Sequence, residues 1–119
     1  GAGWYGVEGA FGNRYRWMGP RAMARLACVS QSPQKLRIRG YAPESCFAQG
    51  RKMRVEARVN GRRAGAWTLR RPGLFVLEAG VPRVPEYQIE ILAGPAWRQP
   101  PDNRLLTVNI SLIRLVEQN

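Results

Sequence analysis

Apolar and polar positions alternate with a period of two along most of the chain, which predicts strands. Residues 22–29 set Ala22, Ala24, Leu26 and Cys28 against Arg21, Met23 and Arg25. Leu36 and Ile38 alternate with Lys35, Arg37 and Arg39 in 35–41. The cleanest run is 52–59, with Met53, Val55, Ala57 and Val59 facing in and Lys52, Arg54, Glu56 and Arg58 facing out. In 86–92, Tyr87, Ile89 and Ile91 oppose Glu86, Gln88 and Glu90. In 105–116, Leu106, Val108, Ile110 and Leu112 oppose Thr107, Asn109 and Ser111. The run 74–78 is apolar up to Glu78, and segments near 14–18 and 64–70 complete the set. Gly19-Pro20, Ser32-Pro33, Pro43, Pro72-Gly73, Pro82 to Pro85 and Pro100-Pro101 fall between the runs as turn signals. No stretch keeps helical spacing, so at most a helical turn is expected in 42–50 or 95–103. The predicted fold is all-β, an antiparallel β-sandwich, jelly-roll-like, of about eight strands.

The strongest hairpin signal is Asn60-Gly61. A two-residue turn there pairs Val59 with Arg62 and carries Trp67 to the outer face. A three-residue loop with Gly61 as a bulge shifts parity by one and turns Trp67 and Leu69 inward beside Met53 and Val55. Burial of two large apolar side chains favours the bulged form.

With 119 residues the chain fits one domain, 1–119, which we expect to be cut from a longer protein. The hydrophobic fraction of 45% excludes a disordered tail, and no apolar run approaches the ~20 residues of a membrane-spanning helix. The absence of histidine excludes a Ser-His-Asp triad and His-ligated zinc, and two cysteines cannot build a four-Cys site. Among eight carboxylates no spacing singles out a catalytic pair. The expectation is a domain without catalysis, metal or cofactor.

The formal net charge is +11, and of 19 basic residues only Lys35 and Lys52 are lysine. Such a balance suits a polyanion partner. The arginines are spread along the whole chain with no basic arm, which favours solvated strand faces over a nucleic-acid groove. Cys28 and Cys46 can be read as free thiols or as a disulfide, and spacing does not decide between them. The aromatics Trp4, Tyr5, Tyr15, Trp17, Trp67, Tyr87 and Trp97 offer flat faces for sugar rings or large core side chains. Trp97 is the leading ligand candidate, because it sits in a proline-stiffened loop beside Arg98, with Asn103 close in sequence. Trp4 and Tyr5 are secondary candidates.

Four pieces in order, Gly3-Trp4-Tyr5…Glu8, Arg16-Trp17-Met18-Gly19-Pro20…Ala22, Val59-Asn60-Gly61 and Asp102-Asn103-Arg104-Leu105-Leu106, resemble the small β-sandwich domains appended to bacterial glycosyltransferases and cell-surface polysaccharide proteins. The resemblance covers almost the whole chain. It implies a galactose-binding-like jelly roll acting as an accessory module, with a glycan or the parent glycosyltransferase domain as partner. Its motif residues also have a structural reading, in which Arg16 and Arg104 form ion pairs with Glu8 and Asp102. The alternatives to a carbohydrate-related module are an arginine-driven domain for nucleic acid or acidic polysaccharide, and a purely structural spacer.

Overall fold

The computed structural model describes residues 3–8, 15–27 and 33–117, and the side chains of 4–8, 15, 99, 102 and 103 lie outside that description. Eleven strands are described: β1 (Trp4–Glu8), β2 (Tyr15–Met18), β3 (Arg21–Ala27), β4 (Gln34–Ala42), β5 (Met53–Val59), β6 (Arg62–Leu69), β7 (Gly73–Val81), β8 (Glu86–Gly94), β9 (Trp97–Gln99), β10 (Asp102–Leu106) and β11 (Asn109–Glu117). A 3-10 segment, Glu44–Gly50, broken at Ala48, follows β4.

All pairings are antiparallel. β5 pairs with β6, β4 with β7, β3 with β8, and β2 with β11. The chain is thus one long ribbon, folded back on itself around the β5–β6 turn. Two further pairings, β11 with β4 and β5 with β8, roll that ribbon up. The products are a sheet of order β1-β2-β11-β4-β7 and a sheet of order β3-β8-β5-β6, which is a jelly roll. Its eight roll strands are the eight that alternation predicts. The additions are β1 at one edge and the β9–β10 hairpin, which occupies a stretch expected to be a loop.

The core lies between the sheets. Leu36 and Ile38 of β4, Phe75 and Leu77 of β7 and Ile110 of β11 meet Ala22 of β3, Met53, Val55, Ala57 and Val59 of β5, and Tyr87, Ile89 and Ile91 of β8. These are the positions that the period of two points inward. Tyr87 is fully buried and satisfies its hydroxyl by donating to the Pro82 carbonyl at 2.6 Å.

Two bulges correct the predicted parity. Asn60 and Gly61 both have positive φ, 51° and 84°, so the turn is the two-residue type. The extra residue sits further on: Ala57 pairs with Gly65 while Arg58 pairs with Arg63, leaving Ala64 over. Trp67 and Leu69 therefore lie opposite Val55 and Met53 and pack half-buried against the core. The inward placement is as expected, but the bulge is at Ala64, not Gly61. In β11 the register shifts between Ile110 and Leu112. Ile110, Ile113 and Leu115 then lie opposite inward Gly40, Ile38 and Leu36, whereas Leu112, expected inward, pairs with Arg39.

The predicted strand 105–116 is also broken. Thr107 and Val108 separate β10 from β11, and both are fully buried. Thr107, expected to face out, sends its hydroxyl to the carbonyls of Met18 and Gly19, each at 3.0 Å. The run of five buried residues from Leu106 to Ile110 is a crossing under the end of the sandwich, not an alternating strand.

Candidate functional site

Backbone register alone brings together a row of side chains on the outer face of the five-stranded sheet. Trp17 of β2 pairs with Asn109 of β11, Asn109 with Tyr41 of β4, and Tyr41 with Leu74 of β7. Inward neighbours fix the direction: Met18, Gly40 and Phe75 are buried, so the adjoining row lies on the outer side of the sheet, with Tyr41 and Leu74 exposed, Trp17 half-buried and Asn109 buried at its floor. These residues line a hollow of about 330 Å³, together with Ser111 and Pro43, a size that suits a small ligand or one or two sugar rings. Tyr41 is 39% and Leu74 84% exposed. Large apolar side chains left in water on an otherwise polar outer face are the unusual feature here. The β11 bulge contributes Ser111 to the wall, whose hydroxyl donates to the Arg39 carbonyl at 3.2 Å and keeps lone pairs for a ligand.

Trp97, the leading candidate from sequence, stands behind this hollow rather than in it. It is 8% exposed. Its indole N–H points to the Thr107 carbonyl at 3.1 Å and to the Cys46 sulfur at 3.3 Å. Its ring meets that of Trp17 edge to face, with centroids 5.7 Å apart. With neither a face nor its donor exposed, Trp97 closes the end of the sandwich and supports Trp17. The hairpin β9–β10 holds it there, which a loop would not do.

Cys46 is a free cysteine, buried, with its thiol directed to the Thr107 carbonyl at 3.2 Å. Burial pushes its pKa up, against the lowering effects of the Trp97 hydrogen bond and the Arg51 charge, so it remains a neutral donor. That contact takes the place of the disulfide considered above; Cys28 lies outside the described residues. Arg98 is exposed and Arg104 half-buried, and neither lines the hollow. The backbone of Trp4 and Tyr5 forms β1 next to β2, but their side chains, with those of Asn103, Glu8 and Asp102, lie outside the description. The Glu8–Arg16 and Asp102–Arg104 pairs therefore remain expectations.

Four further carboxylates are held by basic side chains on the strand faces. Glu56 accepts from Arg58 at 2.7 Å and Arg63 at 3.1 Å, Glu78 from Arg37 at 2.5 Å and Lys35 at 3.3 Å, Glu86 from Arg25 at 2.9 Å, and Glu90 from Arg21. The Arg58 hydrogen bond, followed by the charges of Arg63 and Arg54, outweighs desolvation and holds Glu56 below the usual carboxylate range. Arg37 and then Lys35 do the same for Glu78. A depressed folded-state pKa contributes stability above the unfolded value, lost as pH falls through the folded one. Chemical denaturation should therefore show a stability plateau above ~pH 5 that declines on acidification. Glu56→Gln should lower the plateau and flatten the decline. An unchanged acid limb in that variant would show the pairing to be energetically idle.

No protein-family model matches the chain, and no curated protein sequence matches it. Two solved structures are similar. One is the CBM36-1 domain of a multidomain xylanase from the hindgut metagenome of Trinervitermes trinervoides, with a TM-score of 0.57 and 14% identity, over 100% of this chain and 89% of that one. The other is a family GH115 4-O-methyl-α-glucuronidase with specificity for decorated arabinogalactans, with a TM-score of 0.56 and 14% identity. That match covers 89% of this chain, which spans only 14% of the glucuronidase chain. At this identity the likeness shows the fold alone, an antiparallel β-sandwich.

Proposed function

We propose that the chain is a non-catalytic carbohydrate-binding module whose ligand lies across the outer face of the five-stranded sheet. The observation that carries this is the row Trp17–Asn109–Tyr41–Leu74 around its hollow. Aromatic rings receive the C–H faces of pyranose rings, and the exposed Ser111 hydroxyl offers a hydrogen bond for a sugar hydroxyl. The likeness to a carbohydrate-binding domain supports the reading. A non-catalytic role fits the carboxylates: Glu56 and Glu78 are tied up in ion pairs and kept ionised, the opposite of what a general acid needs. Such a module delivers a larger glycan-active protein to its polymer. The sequence resemblance makes a glycosyltransferase the parent we favour.

Tyr41→Ala tests the site, because Tyr41 is exposed and its loss should move stability by less than about 0.5 kcal/mol. Affinity electrophoresis in gels containing arabinoxylan, arabinogalactan, pectin or polygalacturonate should show the wild-type domain retarded by at least one of them. Tyr41→Ala should weaken that retardation about tenfold or more. Unaltered mobility of the wild type in all of them, or an equal affinity in the variant, would overturn the reading.

A further inference from the structure

We infer that the saccharide bound on this face is anionic, a sugar carrying a carboxylate or a sulfate ester; this rests on the reading of the row as a carbohydrate site. A second hollow, of about 320 Å³, adjoins the first and shares Leu74 with it. Its wall includes Arg70 and Arg71, from the turn between β6 and β7, with Thr68 and Phe75. Neither hollow has a carboxylate in its lining. On the sheet face itself, Arg39 lies two residues before Tyr41 on the same outward side, opposite Val76, within reach of a group seated on the row.

These three arginines differ from those whose charge is spent on a glutamate. Arg21, Arg25, Arg37, Arg58 and Arg63 each hold a glutamate. Among the described residues no carboxylate lies within ion-pair distance of Arg39, Arg70 or Arg71. The hollow lined by Arg54 differs too, because Glu56 lines it as well. Arginine charge not spent on a glutamate therefore lies directly beside the aromatic and apolar wall. Guanidinium groups match carboxylate and sulfate oxygens with two parallel hydrogen bonds, while Tyr41, Trp17 and Leu74 take the apolar face of the ring. A neutral glycan would leave that charge unused.

The test is a titration of the domain with two matched pairs: polygalacturonate against fully methyl-esterified pectin, and dextran sulfate against dextran. The first arm reads a carboxylate, the second a sulfate. Tight binding is expected to the charged member of at least one pair, weakening as salt rises. Arg70→Gln/Arg71→Gln should lose about tenfold, as befits removal of charged hydrogen bonds. Arg54→Gln/Arg62→Gln removes the same net charge from the other sheet and should change affinity by less than about twofold. Equal loss in the two double variants would mean diffuse attraction and would overturn the inference. Equal binding of charged and neutral members, with Arg70→Gln/Arg71→Gln unaffected, would overturn it while leaving the carbohydrate reading intact. Double-stranded DNA bound as tightly as polygalacturonate, with Tyr41→Ala without effect, would overturn both, whereas binding to none of the four polymers would overturn the inference alone.

Discussion

Replacement of Trp97 by alanine should destabilise the domain by about 3–5 kcal/mol, the range for deleting a buried large aromatic. The expectation rests on three losses. The indole's buried area goes, with the edge-to-face contact to Trp17 at 5.7 Å. The Thr107 carbonyl and the Cys46 sulfur lose the donor they share. A cavity then opens at the end where β10 crosses to β11. The melting temperature should fall by roughly 10–25 °C. Trp17 loses its support, so the near-ultraviolet dichroism of the remaining indoles should change and glycan affinity should drop as well. Trp97→Phe keeps most of the volume but not the N–H, and should recover more than half of the loss. A cost below about 1 kcal/mol for Trp97→Ala, typical of surface positions, would show that Trp97 is not a cap.

Gly40→Ala is expected to be almost as damaging, although it adds one carbon. A Cβ at that position would stand 2.3 Å from the Asn109 carbonyl oxygen and 2.7 Å from the Phe75 ring. The ring can turn, but the carbonyl belongs to the backbone of β11 and cannot move without taking the strand along. Overpacking of this kind costs about 1–3 kcal/mol, and we expect the upper end. Urea unfolding should show a lower midpoint at unchanged slope. Because Asn109 lines the hollow from above the same contact, ligand affinity should fall in the same variant. A Gly40→Ala domain within about 0.5 kcal/mol of wild type would mean that β11 has room to shift.

Alternation reveals the eight roll strands because a strand between a core and water must show it: Met53, Val55, Ala57 and Val59 can only be read one way. It does not reveal bulges. An extra residue such as Ala64 or Ser111 leaves composition and spacing unremarkable, yet it inverts every later side chain, which is why Leu112 was expected on the wrong face. Thr107 misled for a different reason. Its hydroxyl lies within donating distance of two carbonyls at the β2–β3 turn, so a polar residue fills a fully buried place. The hollow was the least legible feature. Trp17, Tyr41, Leu74 and Asn109 are far apart in sequence and become neighbours only through the strand order. One signal was available: Leu74 and Val76, 84% and 57% exposed, occupy outward positions where a solvated face would carry polar residues. The prolines around Trp97 predict a stiff segment, but stiffness does not determine whether its aromatic faces out or in.

The nested ribbon has a consequence for how the domain comes apart. Its innermost pair, β5–β6, closes over a two-residue turn, whereas its outermost, β2–β11, joins segments from nearly opposite ends of the chain. Chain entropy therefore weighs most heavily on the outer pairs. Local opening draws first on contacts of that kind. The row of the hollow crosses those pairs, running over β2, β11, β4 and β7. Anything seated on it acts as a clasp across the seam of the roll, and tightens the part of the protein that would otherwise unwind first.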